Sequence, residues 1–252
     1  MGFLLSLFFG VVPMLLFAFL IYQIDRFEKE PVKLLVVVFG WGALVAAGGA
    51  FFLNTLFNAG IFMATGSEAA SSVATGSVIA PLVEESLKGF AVLMVFIFYH
   101  REFDSILDGI IYAAVTALGF AATENTFYIY HYGFQQGGYA GLFNLVFVRV
   151  ILVGWQHPFY TAFTGIGLAS ARLRRDRFKG FLFAVLGLSL AMAAHSLHNT
   201  LAEILTGGIG MFATTAVDWT GWFFMLLFIL WAIRRDQTYV QRYLADEVAL
   251  GT

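Results

Sequence analysis

Residues 81–99 read PLVEESLKGFAVLMVFIFY. Glu84, Glu85 and Lys88 head an apolar run long enough to cross a bilayer, and each ionised side chain at that depth costs about 2.5–3.5 kcal/mol even on a lenient insertion scale. A chain keeps three such groups there only if they are buried against one another or against water inside a bundle. The rest of the sequence describes that bundle. Of 252 residues, 60% are hydrophobic and 12% charged, against about 25% charged in soluble domains, and the mean hydropathy is +0.82. The composition specifies an all-α, polytopic membrane protein. A net charge of −2 gives no basic face for nucleic acid, so membrane lipids are the expected surroundings. The absence of cysteine removes disulfides, thiolate nucleophiles and Cys-ligated metals. With no linker, low-complexity tract or internal repeat, residues 1–252 read as a single integral membrane domain.

At about 20 apolar residues per crossing, hydrophobic segments fall at 3–23, 34–58, 76–99, 106–130, 140–171, 180–205 and 214–233, which makes a bundle of about seven transmembrane helices. Basic residues occupy the connections at 24–33 (Arg26, Lys29, Lys33), 100–105 (Arg101) and 172–179 (Arg172, Arg174, Arg175, Arg177, Lys179) and the tail (Arg234, Arg235, Arg242). The connections at 59–75, 131–139 and 206–213 carry none. The positive-inside rule then puts the N-terminus outside and the C-terminus in the cytoplasm. This alternation requires 140–171 to cross once, either as one helix bent at Pro158 or as two shorter pieces. The start lacks the basic region of a signal peptide and reads as a retained first helix. Residues 214–233 contain no lysine, which excludes the seven-helix retinal proteins.

Polar residues at membrane depth carry the functional signal. Beyond the opening trio they are Glu124 and Asn125, Arg149, Gln156 and His157, and His195, His198, Asn199 and Glu203. Counted from the charged residue that closes each helix, Glu84, Glu85, Glu124, His157 and His195 all lie 15–17 residues in, about 22–26 Å by helical rise. Carboxylates and imidazoles from four helices therefore share one layer, in the outer half of a core ~30 Å thick. Glu84 and Lys88 are four apart, as are the successive members of Phe120, Glu124 and Tyr128 and of His195, Asn199 and Glu203, so each helix offers the layer one polar edge. Arg149, Gln156 and His198 read as interhelical hydrogen-bond partners, Tyr130 and His131 as interfacial residues, and the glycines of 40–49 as close helix packing.

Adjacent carboxylates with a lysine one turn on form an acid/base arrangement, in which one Glu deprotonates water and later hands the proton to a leaving amine. Ser86 and Ser196 lie about 100° round their helices from the motif residues, which leaves water as the nucleophile. Two His with one or two Glu also make a ligand set for zinc with a position left open. Glu124, His157 and His195 would be those ligands, converging from separate helices, and a metal-free glutamate mechanism is the alternative. His195 and Asn199 are equally placed to donate to an oxyanion.

The motifs Glu84-Glu85-x-x-Lys88, Phe120-x-x-x-Glu124-x-x-x-Tyr128, His157 in HPFYTAFTG and His195-x-x-x-Asn199 together resemble the ordered motifs of the PrsW family of intramembrane proteases. More distantly they resemble the CAAX prenyl endopeptidases and related bacterial ABI proteins. The resemblance spans about residues 81–200. Against the CAAX pattern, Lys88 has a shorter spacing, Glu124 stands where a His is expected and His157 is additional; against the PrsW pattern, often written HxxxD, this chain has Asn199. The resemblance implies an intramembrane peptidase, metalloprotease or glutamic-type, in a prokaryotic plasma membrane. Its implied catalytic residues are Glu84, Glu85, Lys88, Glu124, His157, His195 and Asn199. The implied substrate is a single-pass membrane protein cut near its extracytoplasmic end, as in site-1 cleavage of an anti-sigma factor. The alternatives are a proton- or cation-coupled transporter, which broken helices and an internal repeat would mark, a prenyl-protein endopeptidase, and a catalytically silent scaffold.

Overall fold

A bilayer core offers no water to satisfy backbone groups, so an apolar chain of this composition folds into helices that satisfy their own. The computed structural model describes residues 1–24, 29–205 and 207–250. Among them there is no strand; Arg26 lies outside the described residues, as does the side chain of Arg242. The helices are α1 (Gly2–Ile24), α2 (Val32–Gly40), α3 (Ala47–Thr65), α4 (Glu68–Ala74), α5 (Ala80–Phe98), α6 (Ile106–Tyr128), α7 (Gln135–Val146), α8 (Gln156–Arg172), α9 (Arg177–Ile204) and α10 (Gly207–Leu250). π-Helical turns join α2 to α3 (Trp41–Ala46) and α4 to α5 (Thr75–Ile79), extend α6 (Ile129–Phe134) and close α7 (Phe147–Leu152).

Each expected hydrophobic segment coincides with a helix or helix pair. Among the described residues, five stretches, Gly2–Ile24, Val32–Thr65, Ile106–Arg172, Arg177–Ile204 and Gly207–Arg235, are long and apolar enough to cross a membrane. The α4–α5 helix is set apart from them by Glu84, Glu85 and Lys88. Within Ile106–Arg172 the chain turns back on itself at Gly138 (φ 59°, ψ −144°), a conformation open only to glycine. It then descends beside α6: Gly141 packs on Gly133, Arg149 reaches Asn125, and Gly165 packs on Gly109. This descent is made in two pieces, because Val153 (φ −124°, ψ 19°) and Trp155 (φ −97°, ψ 1°) leave the helical region. Pro158 bends nothing. It sits in the first turn of α8, where a missing N–H costs no helical bond.

The two ends of the bundle differ chemically. Lys29 donates to the Tyr22 carbonyl (2.7 Å), Tyr112 bonds Glu30 and Arg172 bonds the Phe96 carbonyl, which gathers the basic connections at one end. At the other end Phe3 packs on Tyr130, and Asn58 donates to Thr75 (3.3 Å). The axle between them is α6, buried without interruption from Ile106 to Ala122. Lipid tails are as apolar as leucine, so such helices associate through close packing rather than through the hydrophobic effect. A Cβ on Gly165 would stand 2.0 Å from the Gly109 carbonyl oxygen, and one on Gly119 2.0 Å from that of Phe39. Of the glycines in 40–49, Gly42 meets the Thr116 carbonyl and Gly49 meets Leu87, whereas Gly40 and Gly48 meet nothing within 4 Å. Gly165→Val should therefore cost about 1–3 kcal/mol through overpacking and lower the melting temperature in detergent, while Gly48→Val should leave it unchanged.

Candidate active site

Lys88 is fully buried, and its ammonium is the hub of the polar layer. It donates to Glu85 Oε1 (2.7 Å), lies 3.5 Å from Glu84 Oε2 and 3.2 Å from His157 Nδ1, and sits 4.1 Å from the centroid of the Phe120 ring. Glu85 is saturated with donors. Besides Lys88 it accepts from Thr161 Oγ1 (2.8 Å) and His195 Nδ1 (3.0 Å). An imidazole that donates from Nδ1 to a carboxylate presents its lone pair at Nε2 when neutral, the arrangement by which a second carboxylate commonly orients a metal-binding histidine. His195 Nε2 lies 3.9 Å from Glu84 Oε2, and that oxygen is buried without a hydrogen-bond partner. Two acceptors thus face one another.

Glu124 stands on the far side of His157. Its Oε2 takes His157 Nε2 (2.9 Å) and Arg149 Nη2 (2.5 Å), while Arg149 also bonds Asn125 Oδ1 (2.9 Å) and stacks on Tyr128 (4.0 Å). At 20% side-chain exposure Glu124 is more open than Glu84 or Glu85. An ammonium can only donate, so Lys88 occupies the His157 Nδ1 lone pair and leaves Nε2–H to donate to Glu124.

The donor set suits a divalent metal. Glu84, His157 and His195 each bring a ligand atom within 4.8 Å of the others, all buried, and this is a nitrogen/oxygen set of the kind zinc takes. Three carboxylates, Glu84, Glu85 and Glu124, face the two fixed cations Lys88 and Arg149. With all three ionised and the histidines neutral, the buried layer would be one positive charge short. Glu84 Oε2, ion-paired with Lys88 at 3.5 Å but without a hydrogen bond, is where such a charge would find a ligand. His157 joins the set by exchanging one of its two present partners.

Six of the seven residues expected from the sequence, Glu84, Glu85, Lys88, Glu124, His157 and His195, form one chain of contacts. Asn199 is placed differently. Pro81 has no N–H, so the carbonyls of Ser77 and Gly76, its partners in α- and π-helical registers, need other donors. Ser196 Oγ supplies the first (2.5 Å) and Asn199 Nδ2 the second (2.8 Å). Asn199 thereby ties α9 to the turn that leads into Glu84. Glu203, on the same stripe, is exposed.

Asp218 is the functional-site neighbour that the sequence reading missed. Buried on α10 (1% exposed), it accepts from Tyr160 Oη (3.1 Å) and pairs with His198 Nδ1 (2.8 Å), and the Tyr160 ring stacks on His195 at 4.9 Å. An acid inside the apolar segment 214–233 was the available signal. Next to it, Trp219 Nε1 donates to the Leu152 carbonyl (2.9 Å), which the break before α8 leaves free. Replacing Lys88 by Met would leave Glu84 and Glu85 buried without their counter-charge, and should cost about 3–5 kcal/mol in chemical denaturation; Glu203→Gln should leave the same transition in place.

Residues 30–232 match the family described as PrsW family intramembrane metalloprotease. Among curated sequences, the chain is 27% identical to Protease PrsW of Bacillus subtilis over 222 residues, 88% of each chain. It is 29% identical to Protease PrsW of Geobacillus kaustophilus over 69% of this chain and 70% of that one, and 30% identical to Protease PrsW of Oceanobacillus iheyensis over 77% and 81%. No solved structure matches. The helix break at 153–155 is a feature that the transporter reading also called for, but a match over this length to proteases decides for hydrolysis. This multi-pass membrane protein is a protease, and it belongs to the PrsW family of intramembrane metalloproteases.

Proposed function

We propose that the chain hydrolyses a peptide bond of a single-pass membrane protein near its extracytoplasmic end, with water as nucleophile and the face between Glu84 and His195 as the reacting centre. The observation that carries this is the facing pair Glu84 Oε2 and His195 Nε2, 3.9 Å apart, where the Glu84 oxygen has the Lys88 ion pair at 3.5 Å and no closer hydrogen bond. Glu84, His157 and His195 would hold a divalent ion, zinc by the chemistry of the ligands. Bound there, it would polarise the scissile carbonyl as a Lewis acid.

The roles of Glu84 and Glu124 thereby differ from the sequence expectation, which had Glu124 as a ligand and Glu84 and Glu85 together at the water. Glu124 is already compensated by Arg149 and is the more exposed. It takes the proton from the attacking water, and after the water oxygen bonds the carbonyl carbon and the C–N bond breaks, it returns that proton to the leaving amine. Glu85 and Lys88 act through others: Glu85 fixes the His195 ring, and Lys88 fixes Glu85 and His157.

The basic end of the bundle is cytoplasmic by the positive-inside rule, which places seven crossings with the N-terminus outside and the reacting layer beneath the outer surface. A peptide bond in a regular helix is shielded by its own hydrogen bonds, so the substrate presents an unwound stretch there.

Reconstituted in liposomes with a single-pass model substrate, the wild type should release two fragments. Glu84→Gln and Glu124→Gln should each lower kcat/KM by about 10³-fold or more, the scale of losing one group from a unit that acts together, with folding retained; cleavage at the wild-type rate by both would refute the assignment. Mass spectrometry of the new termini should place the cut at the exported end of the substrate helix. A cut in its cytoplasmic half would overturn the orientation.

A further inference from the structure

Helix α3 borders the polar layer in two ways. Toward α5, Gly49 packs on Leu87, Asn54 Nδ2 lies 3.5 Å from Glu84 Oε1 and Asn58 donates to Thr75. Toward α6, the Thr123 hydroxyl bonds the Ala43 carbonyl (2.7 Å) just before α3 begins, and further along the Phe51 and Phe127 rings meet edge to face at 5.8 Å. Thr123 and Phe51 are exposed, and Glu124, between Thr123 and Phe127 in sequence, is the open carboxylate of the layer. Asn54, half-buried, lies one turn along α3 from Phe51.

The Asn54 carboxamide is under-used where it stands. Its contact with Glu84 is at the outer limit of a hydrogen bond, and its Oδ1 is buried with no partner. A carboxamide holds a donor and an acceptor in one plane, as a peptide group does, so the two can pair through two hydrogen bonds. An unwound substrate segment brings peptide N–H and C=O groups that have lost their helical partners and cannot be left bare in hydrocarbon.

We propose that Asn54 is a substrate-binding residue whose carboxamide pairs with a main-chain peptide group of the unwound segment, beside the scissile bond and against Glu84. The inference rests on the hydrolytic reading above. It gives the enzyme a way to hold substrate backbone without reading its side chains.

Asn54→Leu keeps the shape and removes both hydrogen bonds. It should lower kcat/KM by about 10-fold or more, the worth of two hydrogen bonds, with melting temperature and bound metal as in the wild type, and Asn54→Gln should recover part of the loss. The chain contains no cysteine, so Asn54→Cys in a Glu124→Gln background gives a single thiol. Paired with cysteines scanned along the substrate, it should crosslink most strongly within about two residues of the mapped cut, whereas Leu190→Cys, on an exposed face of α9, should not. A wild type that leaves the substrate intact overturns the hydrolytic reading and this inference with it. A wild type that cuts, beside an Asn54→Leu that cuts equally well or a crosslink maximum elsewhere, overturns this inference alone. Loss of bound metal or a lowered melting temperature in Asn54→Leu would also overturn it, since a group that only supports Glu84 behaves that way.

Discussion

The buried ammonium of Lys88 is the interaction on which the polar layer depends. Carboxylates removed from water are costly unless paired and hydrogen-bonded, and Glu84, Glu85 and Glu124 are brought together from two helices. Lys88 answers two of them on its own helix, reaches His157 on α8 and lies over the face of Phe120 on α6. From Glu85 the order passes on to Thr161 of α8 and His195 of α9. One sealed charge thus links four helices, and Arg149 ties the turn after α7 to α6 through Glu124, Asn125 and Tyr128. What this arrangement leaves without a close hydrogen bond is the Glu84 oxygen that faces His195, which has Lys88 only at 3.5 Å.

The backbone follows a related logic. Turns that depart from α-helical bonding free carbonyl groups, and in a membrane those groups need partners from the protein. Ala43, Gly76, Ser77 and Leu152 all lie in π-helical turns, and their carbonyls accept from Thr123, Asn199, Ser196 and Trp219 on neighbouring helices. These hooks lie around the polar layer. Pro81, in the stretch that carries Glu84 and Glu85, explains two of them. The irregular turns and the buried carboxylates are therefore one construction: the turn frees carbonyls, α9 binds them, and α9 carries His195.

The helices and the membership of the layer were legible because both rest on large penalties. Apolar runs of this length have few folds available in lipid, and an ionisable residue at membrane depth is rare enough to be informative alone. The π-helical turns were not legible, since no residue pattern separates them from ordinary helix. The break before α8 was open between two readings, and Pro158 drew attention to the wrong place. The roles within the layer depended on partners rather than on residue types. Arg149, read as an interhelical hydrogen-bond partner, is one, and what the sequence did not show is that its partner is the Glu124 carboxylate. Asn199 shares a helix face with His195, but its amide is spent on Gly76. Asp218 lay in a segment read for its lack of lysine, and its own presence there was the stronger clue.

The central claim is that Glu84, rather than Glu124, joins His157 and His195 in holding a divalent ion. Elemental analysis of purified, folded protein tests it most directly. The account predicts one zinc per chain in the wild type, retained in Glu124→Gln and lost in Glu84→Gln. Active wild-type enzyme free of stoichiometric metal and indifferent to strong chelators, or metal lost from Glu124→Gln and kept in Glu84→Gln, would contradict it.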